Sequence, residues 1–167
     1  MSRKFHIGAQ LVSGSVTSTK KLGEEFGNAL RSQSLEIPGT KGTLVGLMGG
    51  LGTGKTTFVQ GIAKAFGIKK RVVSPTFIIM RSYNLETDSS SKINISKLYH
   101  VDLYRVPDHN IKRELETVGF FDVLRDHRNL VFLEWADKLT HLQRGTIVIR
   151  FQYINSKTRK LFLDKIA

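Results

Sequence analysis

Apolar and polar positions along this chain follow a period that changes from helix to strand and back. Between residues 19 and 32 apolar side chains recur every four positions, which predicts an amphipathic helix with Ser18 or Thr19 as its N-cap. The next apolar run, Thr43 to Met48, is short and continuous and is bounded by glycines. Such a run predicts a strand that is buried on both faces.

The helical period returns directly after this strand. Phe58, Ile62 and Phe66 give one apolar helical face, and Gly67 is placed to end the helix. A buried strand is therefore followed, across a glycine-rich turn, by an amphipathic helix.

The second half of the chain is mainly strand-like. Residues 111–124 predict a helix interrupted at Gly119, and a polar tip at residues 84–96 joins two strands as a hairpin. The last two strands predict a closing hairpin. The predicted strands cover residues 77–83, 97–104, 130–133, 146–153 and 160–166. Without an internal repeat or a linker, residues 1–167 are expected to form a single domain.

Composition narrows the class of protein. The 167 residues include no cysteine, which excludes disulfides and thiolate zinc sites. No apolar run approaches the roughly 18 residues of a membrane span, and the first 20 residues lack a secretory signal, so we expect a cytoplasmic protein with no membrane partner. The net charge of +12 favours polyanionic partners such as nucleic acid, although no long Lys/Arg run is present.

The turn between the first strong strand and its helix carries the clearest chemical signal. Residues 49–56 read GGLGTGKT and fit GxxxxGK[ST], the P-loop pattern, in the strand-to-helix context that it requires. Its backbone N–H groups curl around phosphates, Lys55 reaches the β- and γ-phosphates, and the Thr56 hydroxyl binds magnesium. The predicted phosphate-binding residues are Gly49, Gly50, Leu51, Gly52, Thr53, Gly54, Lys55, Thr56 and Thr57.

A magnesium site also needs carboxylates, and two candidates follow predicted strands. Glu134 follows Leu130–Leu133 as the acidic residue of a Walker-B element does, and Asp102 ends another strand. For either residue a surface carboxylate or a helix cap is the alternative interpretation. His100 is expected to be a packing or hydrogen-bonding residue and not a base. No Asn-Lys-x-Asp segment of the kind that GTPases use to read guanine occurs, which favours ATP over GTP.

Five segments in one order resemble a known family. They are GGLGTGKTTF (49–58), SPTF (74–77), YHVDLYR (99–105), ELETVG (114–119) and LVFLEW (130–135). This arrangement, over roughly residues 17–160, resembles the TsaE family, also called YjeE. The resemblance implies a P-loop α/β fold, a three-layer sandwich with a mixed, mainly parallel sheet and a C-terminal β-hairpin.

The resemblance also implies a function. TsaE-like proteins are weak magnesium-dependent ATPases that act with TsaB and TsaD to form threonylcarbamoyladenosine in tRNAs reading codons that begin with adenine. TsaD transfers the threonylcarbamoyl group, and ATP turnover by the TsaE protein is expected to reset or sustain that complex. Contact with tRNA would be direct or through the complex.

Particular residues acquire roles by their positions in the family pattern. Ser74 and Thr76 fall in a switch-like loop, and Thr76 becomes a candidate catalytic residue with Lys55, Asp102 and Glu134. Asp102 and Glu134 lie near magnesium. The remaining implied nucleotide contacts are Trp135, beside the nucleotide, and Thr19, near its base. A turn, a core position and a helix cap are the respective alternatives for Ser74, Trp135 and Thr19.

Two departures from the family and two other functions remain open. Gly50 stands where the family usually carries Asp or Glu, and the 84–96 tip is longer and richer in serine than expected. A small-molecule kinase would also have a P-loop, with Arg125 or Arg128 as lid residues. An ATP-gated nucleic-acid-binding switch would use the positive charge. No motif places an arginine finger, for which the candidates are Arg81, Arg105 and Arg113.

Overall fold

The computed structural model describes residues 5–33, 35, 42–86 and 94–166. Seven strands and four α-helices are assigned in these ranges. The strands are β1 (Gln10–Ser13), β2 (Thr43–Met48), β3 (Met80–Asn84), β4 (Lys97–Asp102), β5 (Asn129–Glu134), β6 (Ile147–Tyr153) and β7 (Arg159–Lys165). The helices are α1 (Val16–Arg31), α2 (Lys55–Ala65), α3 (Ile111–Thr117) and α4 (Phe120–Val123).

All seven strands form one mixed sheet in the order β1-β7-β6-β2-β5-β4-β3. The four central strands, β6, β2, β5 and β4, run parallel to one another. The outer pairings β1–β7, β7–β6 and β4–β3 are antiparallel. The mixed sheet is confirmed, and its parallel part is the centre, because hairpins build both edges.

Helices cover both faces of the sheet, which confirms the three-layer arrangement. On one face α1 and α2 pack against side chains such as Val45, Phe132 and Ile149. On the other face α3 and α4 pack against the alternate strand residues, including Leu44 and Val131. Because successive strand residues point to opposite faces, the continuous apolar run of β2 fills both cores.

The first helix begins earlier than the sequence predicts. Ser15, and not Ser18 or Thr19, is its N-cap, and Val16 is its first residue. Ser15 accepts from the Ser18 backbone N–H at 3.0 Å, while the Ser18 hydroxyl accepts from the Ser15 N–H at 3.3 Å. This reciprocal capping box is the reason for the difference, because it satisfies two of the free N–H groups at the helix start.

The central hairpin is confirmed, but its strands are shorter than predicted. The segment before β3 is a turn in which the N–H groups of Ile78 and Ile79 both donate to the Pro75 carbonyl, at 2.9 and 2.7 Å. At the other strand, the Tyr104 N–H donates to Asp102 Oδ1 at 2.8 Å and turns the chain after β4. Local turn bonds therefore delay the start of β3 and end β4 earlier than apolar content alone suggests.

Two further predictions about the fold are confirmed. The helical interruption at Gly119 is confirmed, with φ +72°, and β6 and β7 form the C-terminal hairpin. Strand β1, which pairs with β7, was not predicted. Within the predicted tip, the serine run 89–91 lies outside the described residues. None of the helices in the described ranges is long and apolar enough to span a membrane.

Candidate nucleotide-binding site

The P-loop connects the carboxyl end of β2 to the first turn of α2. Gly49 has φ +133°, and a Cβ atom there would lie 2.5 Å from the Phe151 carbonyl oxygen, so only glycine fits. Gly54 is the N-cap of α2 with φ +99°. Since the helix begins at Lys55, its unpaired N–H groups and its positive dipole end face the loop, where an anion would be stabilised.

Lys55 is a buried cation whose ammonium donates hydrogen bonds to uncharged carbonyl groups. Its residue is only 4% exposed, and Nζ donates to the carbonyls of Gly49 and Gly50 at 2.6 and 2.8 Å. The ammonium also lies 4.1 Å from the centre of the Trp135 ring. Burial lowers the pKa of Lys55 below its ordinary value, although nearby carboxylates, led by Glu134, oppose this shift. A buried ammonium held this way is poised to receive an anion.

Thr56 and Glu134 are in direct contact although 78 positions separate them. Thr56 Oγ1 donates to the Glu134 carboxylate, at 2.8 Å from Oε1 and 3.0 Å from Oε2. The buried His100 ring places Nε2 2.7 Å from Glu134 Oε1. Its Nδ1 is buried without a hydrogen-bond partner in the described part of the chain. His100 thus orients Glu134, as its interpretation as a hydrogen-bonding residue requires.

Asp102 holds the segment that follows α2. Both the Ser74 and Thr76 hydroxyls donate to its Oδ2, the latter at 2.7 Å, and the two hydroxyl oxygens lie 2.6 Å apart. Its other oxygen, Oδ1, accepts from the Tyr104 N–H. One carboxylate therefore ties the switch-like loop to the end of β4.

Asp102 and Glu134 face each other across neighbouring parallel strands, where they are a register pair. Carboxyl ends of parallel strands form the usual ligand edge of such sheets. Both line a cavity of about 370 Å³ together with Lys55, Thr56 and Thr76. This volume is within the range of small-molecule sites, roughly 300–1,000 Å³.

The donor set suits magnesium bound together with phosphate. Within the described ranges no three His, Asp or Glu side chains cluster to hold a metal by themselves. Thr56 and the two carboxylates offer only oxygen atoms, which magnesium prefers, and this ion usually takes a few protein oxygens and completes its octahedron with phosphate and water. The residues fit a metal that arrives with a nucleotide.

The other predicted contacts are placed as follows. Residues Leu51 to Thr57 and Trp135 line the cavity. Thr19 is buried beside the loop: a Cβ on Gly54 would lie 3.2 Å from its methyl group, but its hydroxyl oxygen lies 2.6 Å from that of Ser13. A Cβ on Gly50 would meet nothing within 4 Å, so the family's acidic residue would fit there without steric hindrance.

Two cavity residues, Phe77 and Tyr104, received no role from the sequence, and a third, Arg105, was an arginine-finger candidate that no motif placed. Phe77, Tyr104 and Arg105 all line the cavity, and the Arg105 guanidinium stacks on the Phe77 ring at 4.3 Å. The segment YHVDLYR contains two of them, so position in that segment was the available signal. The proposed lid residues lie elsewhere: Arg125 pairs with the exposed Asp122, and Arg128 pairs with the half-buried Asp126.

The fold and this site together define a P-loop α/β protein with a strand-end carboxylate pair. A family model described as "Threonylcarbamoyl adenosine biosynthesis protein TsaE" matches residues 13–161, and the chain belongs to the TsaE family. A protein from Aquifex aeolicus named tRNA threonylcarbamoyladenosine biosynthesis protein TsaE is 40% identical over 91% of this chain and 92% of its own length.

Further relatives agree with this family. A Nostoc protein of the same name is 31% identical, with 72% of this chain and 69% of that protein covered. The crystal structure of Bacillus subtilis YdiB superposes with a TM-score of 0.63 at 23% identity, covering 98% of this chain and 90% of YdiB. At that identity the match supports the fold alone.

Proposed function

We propose that this chain is a magnesium-dependent ATPase that acts with TsaB and TsaD in forming threonylcarbamoyladenosine in tRNAs that read codons beginning with adenine. The observation that carries the ATPase part is the buried Lys55 ammonium, held on two P-loop carbonyls above a helix N-terminus. Family membership carries the pathway, because the relatives are named for threonylcarbamoyladenosine biosynthesis.

Each site residue has a role that follows from its present contacts. Lys55 exchanges two neutral carbonyl partners for the β- and γ-phosphates, a gain in charge pairing inside a poorly solvated loop. Thr56 and Glu134 offer their oxygens to magnesium, which when bound neutralises charge that develops on the phosphates. His100 keeps Glu134 in place. Asp102 fixes Thr76, whose hydroxyl would orient the attacking water.

The phosphate assignment is tested by two lysines of the same helix. Lys55→Ala removes the buried cation and is expected to abolish ATP binding and hydrolysis. Lys64→Ala is the matched control, because Lys64 is exposed near the end of α2 and its Nζ pairs with Glu24, at 2.9 Å. ATP use should survive in the control. Undiminished hydrolysis by Lys55→Ala would remove the P-loop assignment.

The metal role is tested at Thr56. Thr56→Ala loses one oxygen ligand but keeps the phosphate cation, so its ATPase activity should fall and be partly restored by excess magnesium. The activity of Lys55→Ala should not respond to magnesium. Equal magnesium profiles for Thr56→Ala and the parent protein would show that Thr56 does not bind the metal.

Dependence on partners is tested by phosphate release from the chain alone and with TsaB–TsaD. We expect slow hydrolysis alone, because a missing transition-state cation costs about 10³–10⁵ in rate in P-loop enzymes. Arg105, the arginine-finger candidate that lies at the cavity, has its guanidinium stacked on the Phe77 ring. Thr76→Ala should reduce the stimulated rate. Fast hydrolysis by the isolated chain, unchanged by TsaB–TsaD, contradicts the proposal and favours an independent enzyme.

A further inference from the structure

A second cavity, of about 300 Å³, lies beside the C-terminal half of α2, on the segment that leads from that helix toward Ser74. Four of its eight lining residues are cationic and none is acidic. The four are Lys20, Lys69, Lys70 and Arg71. Lys20 comes from α1, and the other three are consecutive in the chain, so two separate segments direct positive charge into one concave surface.

The backbone beneath these cations is fixed. The Gln60 side-chain amide donates to the Val72 carbonyl at 3.0 Å, and Val72 itself is buried. On the other side, a Cβ on Gly61 would lie 2.0 Å from the Lys20 carbonyl oxygen, which shows how closely α1 approaches α2 there. The cationic side chains therefore extend from a defined scaffold, a condition for a binding surface.

The charge of this cluster is not compensated locally. All four side chains belong to exposed residues, and none forms an ion pair with a carboxylate among the residues that the structure describes. The nearby Glu24 carboxylate is already paired with Lys64. A helix C-terminus carries roughly half a negative charge, which one cation offsets. Four cations exceed that need, and the surplus attracts anions.

We propose that this basic cavity binds the phosphodiester backbone of tRNA, and the choice of tRNA among RNAs rests on the function proposed above. An extended polyanion fits because the cations come from two segments and the chain carries a net charge of +12. The lining residues include no aromatic side chain, so bases have nothing to stack on. Binding is therefore to phosphates and independent of base sequence.

The test compares two triple variants of equal charge change in tRNA binding at 50–200 mM salt. Lys69→Ala, Lys70→Ala and Arg71→Ala remove the cluster, and Lys112→Ala, Arg144→Ala and Lys157→Ala remove three exposed cations elsewhere. Losing three phosphate contacts lowers the slope of log affinity against log salt by about 2–3, and the affinity at 0.1 M salt by about two orders of magnitude. The control triple should change affinity only a few-fold.

Several results would overturn the proposal that this basic cavity binds tRNA. One is equal affinity and equal salt slope for the two triples, and another is retained tRNA binding by a cavity triple whose thermal midpoint matches the parent protein. Saturation by inorganic phosphate with no tRNA binding would show a small-anion site. If the parent protein binds ATP but not tRNA, this inference is overturned and the ATPase proposal is unaffected. If the parent protein instead binds tRNA but not ATP, the ATPase proposal is refuted and the proposed RNA surface is retained.

Discussion

The contact between α1 and α2 gives the sharpest stability prediction, because the two helices can approach so closely only where glycine has no side chain. In Gly61→Ala the new Cβ would lie 2.0 Å from the Lys20 carbonyl oxygen and 2.8 Å from the Glu24 nitrogen. Ordinary C···O contacts begin at about 3.3 Å, so the two helices must move apart by roughly 1.3 Å. Backbone atoms cannot rotate away, and the opposing position is equally tight: a Cβ on Gly23 would lie 2.1 Å from the Phe58 carbonyl oxygen.

The expected magnitude follows from two opposing effects. Alanine in place of glycine within a helix gains up to about 1 kcal/mol in propensity. Overpacking costs about 1–3 kcal/mol, and a clash with backbone belongs at the upper end of that range. The net loss is then about 2 kcal/mol, which lowers the thermal midpoint of a chain of this length by about 4–8 °C.

Calorimetry or circular dichroism of Gly61→Ala measures that shift, and nucleotide affinity provides a second readout. Moving α1 displaces Thr19, which lies against Gly54 of the P-loop, so affinity should fall as well. Gly14→Ala is the control, because a Cβ there meets nothing within 4 Å, and its stability should change by less than about 0.5 kcal/mol. An unchanged or raised midpoint for Gly61→Ala refutes the steric argument.

Three further predictions use separate parts of the chain. Trp135 is the only tryptophan and lies 4.1 Å from Lys55 Nζ, so saturating ATP should change its fluorescence, and an unchanged spectrum counts against the site. Phe132→Ala, at a fully buried position, should cost about 3–5 kcal/mol in urea unfolding, and a loss below 1 kcal/mol contradicts the core assignment. Side-chain and backbone hydrogen bonds from Arg128 lower the pKa of Asp126 to about 2, so NMR titration of Arg128→Ala, which keeps the backbone bond, should find a higher pKa that is still below 3.8. Because that pKa is depressed, the pair stabilises the fold above pH 3.8, and its contribution is lost as the pH falls through about 2.

Much of the fold was predictable because its central elements have strong local patterns. β2 occupies the predicted range, Thr43–Met48, since a continuous apolar run between glycines has few other solutions. β1 was missed for the opposite reason. It has four residues, most of them not buried, and it exists through pairing with β7 some 150 positions away. No local pattern reports such a pairing.

The site was predictable where residues follow strands and not where loops fold back. Asp102 and Glu134 end β4 and β5 as expected, because strand ends are readable from apolar runs. Phe77 and Arg105 reach the cavity through turns, the first closed by backbone bonds to the Pro75 carbonyl and the second by the Asp102 bond to the Tyr104 N–H. The turns themselves are local, but the position of the 74–77 segment also depends on the long-range bonds from Ser74 and Thr76 to Asp102, which single-sequence patterns do not encode. The catalytic and metal roles assigned to these residues stay predictions.

The contacts within the site also indicate why its parts should respond together. In this structure Lys55 is bonded to P-loop carbonyls, Thr56 to Glu134, and Thr76 to Asp102. Under the proposed function, one partner in each of these bonds would contact nucleotide or magnesium, so binding would exchange protein contacts for ligand contacts. The exchange favours the ligand at Lys55, where a charged phosphate replaces neutral carbonyls. At Asp102, the Ser74 and Thr76 hydroxyls already donate to Oδ2, so under the proposed function a metal there would share this carboxylate with the switch-like loop.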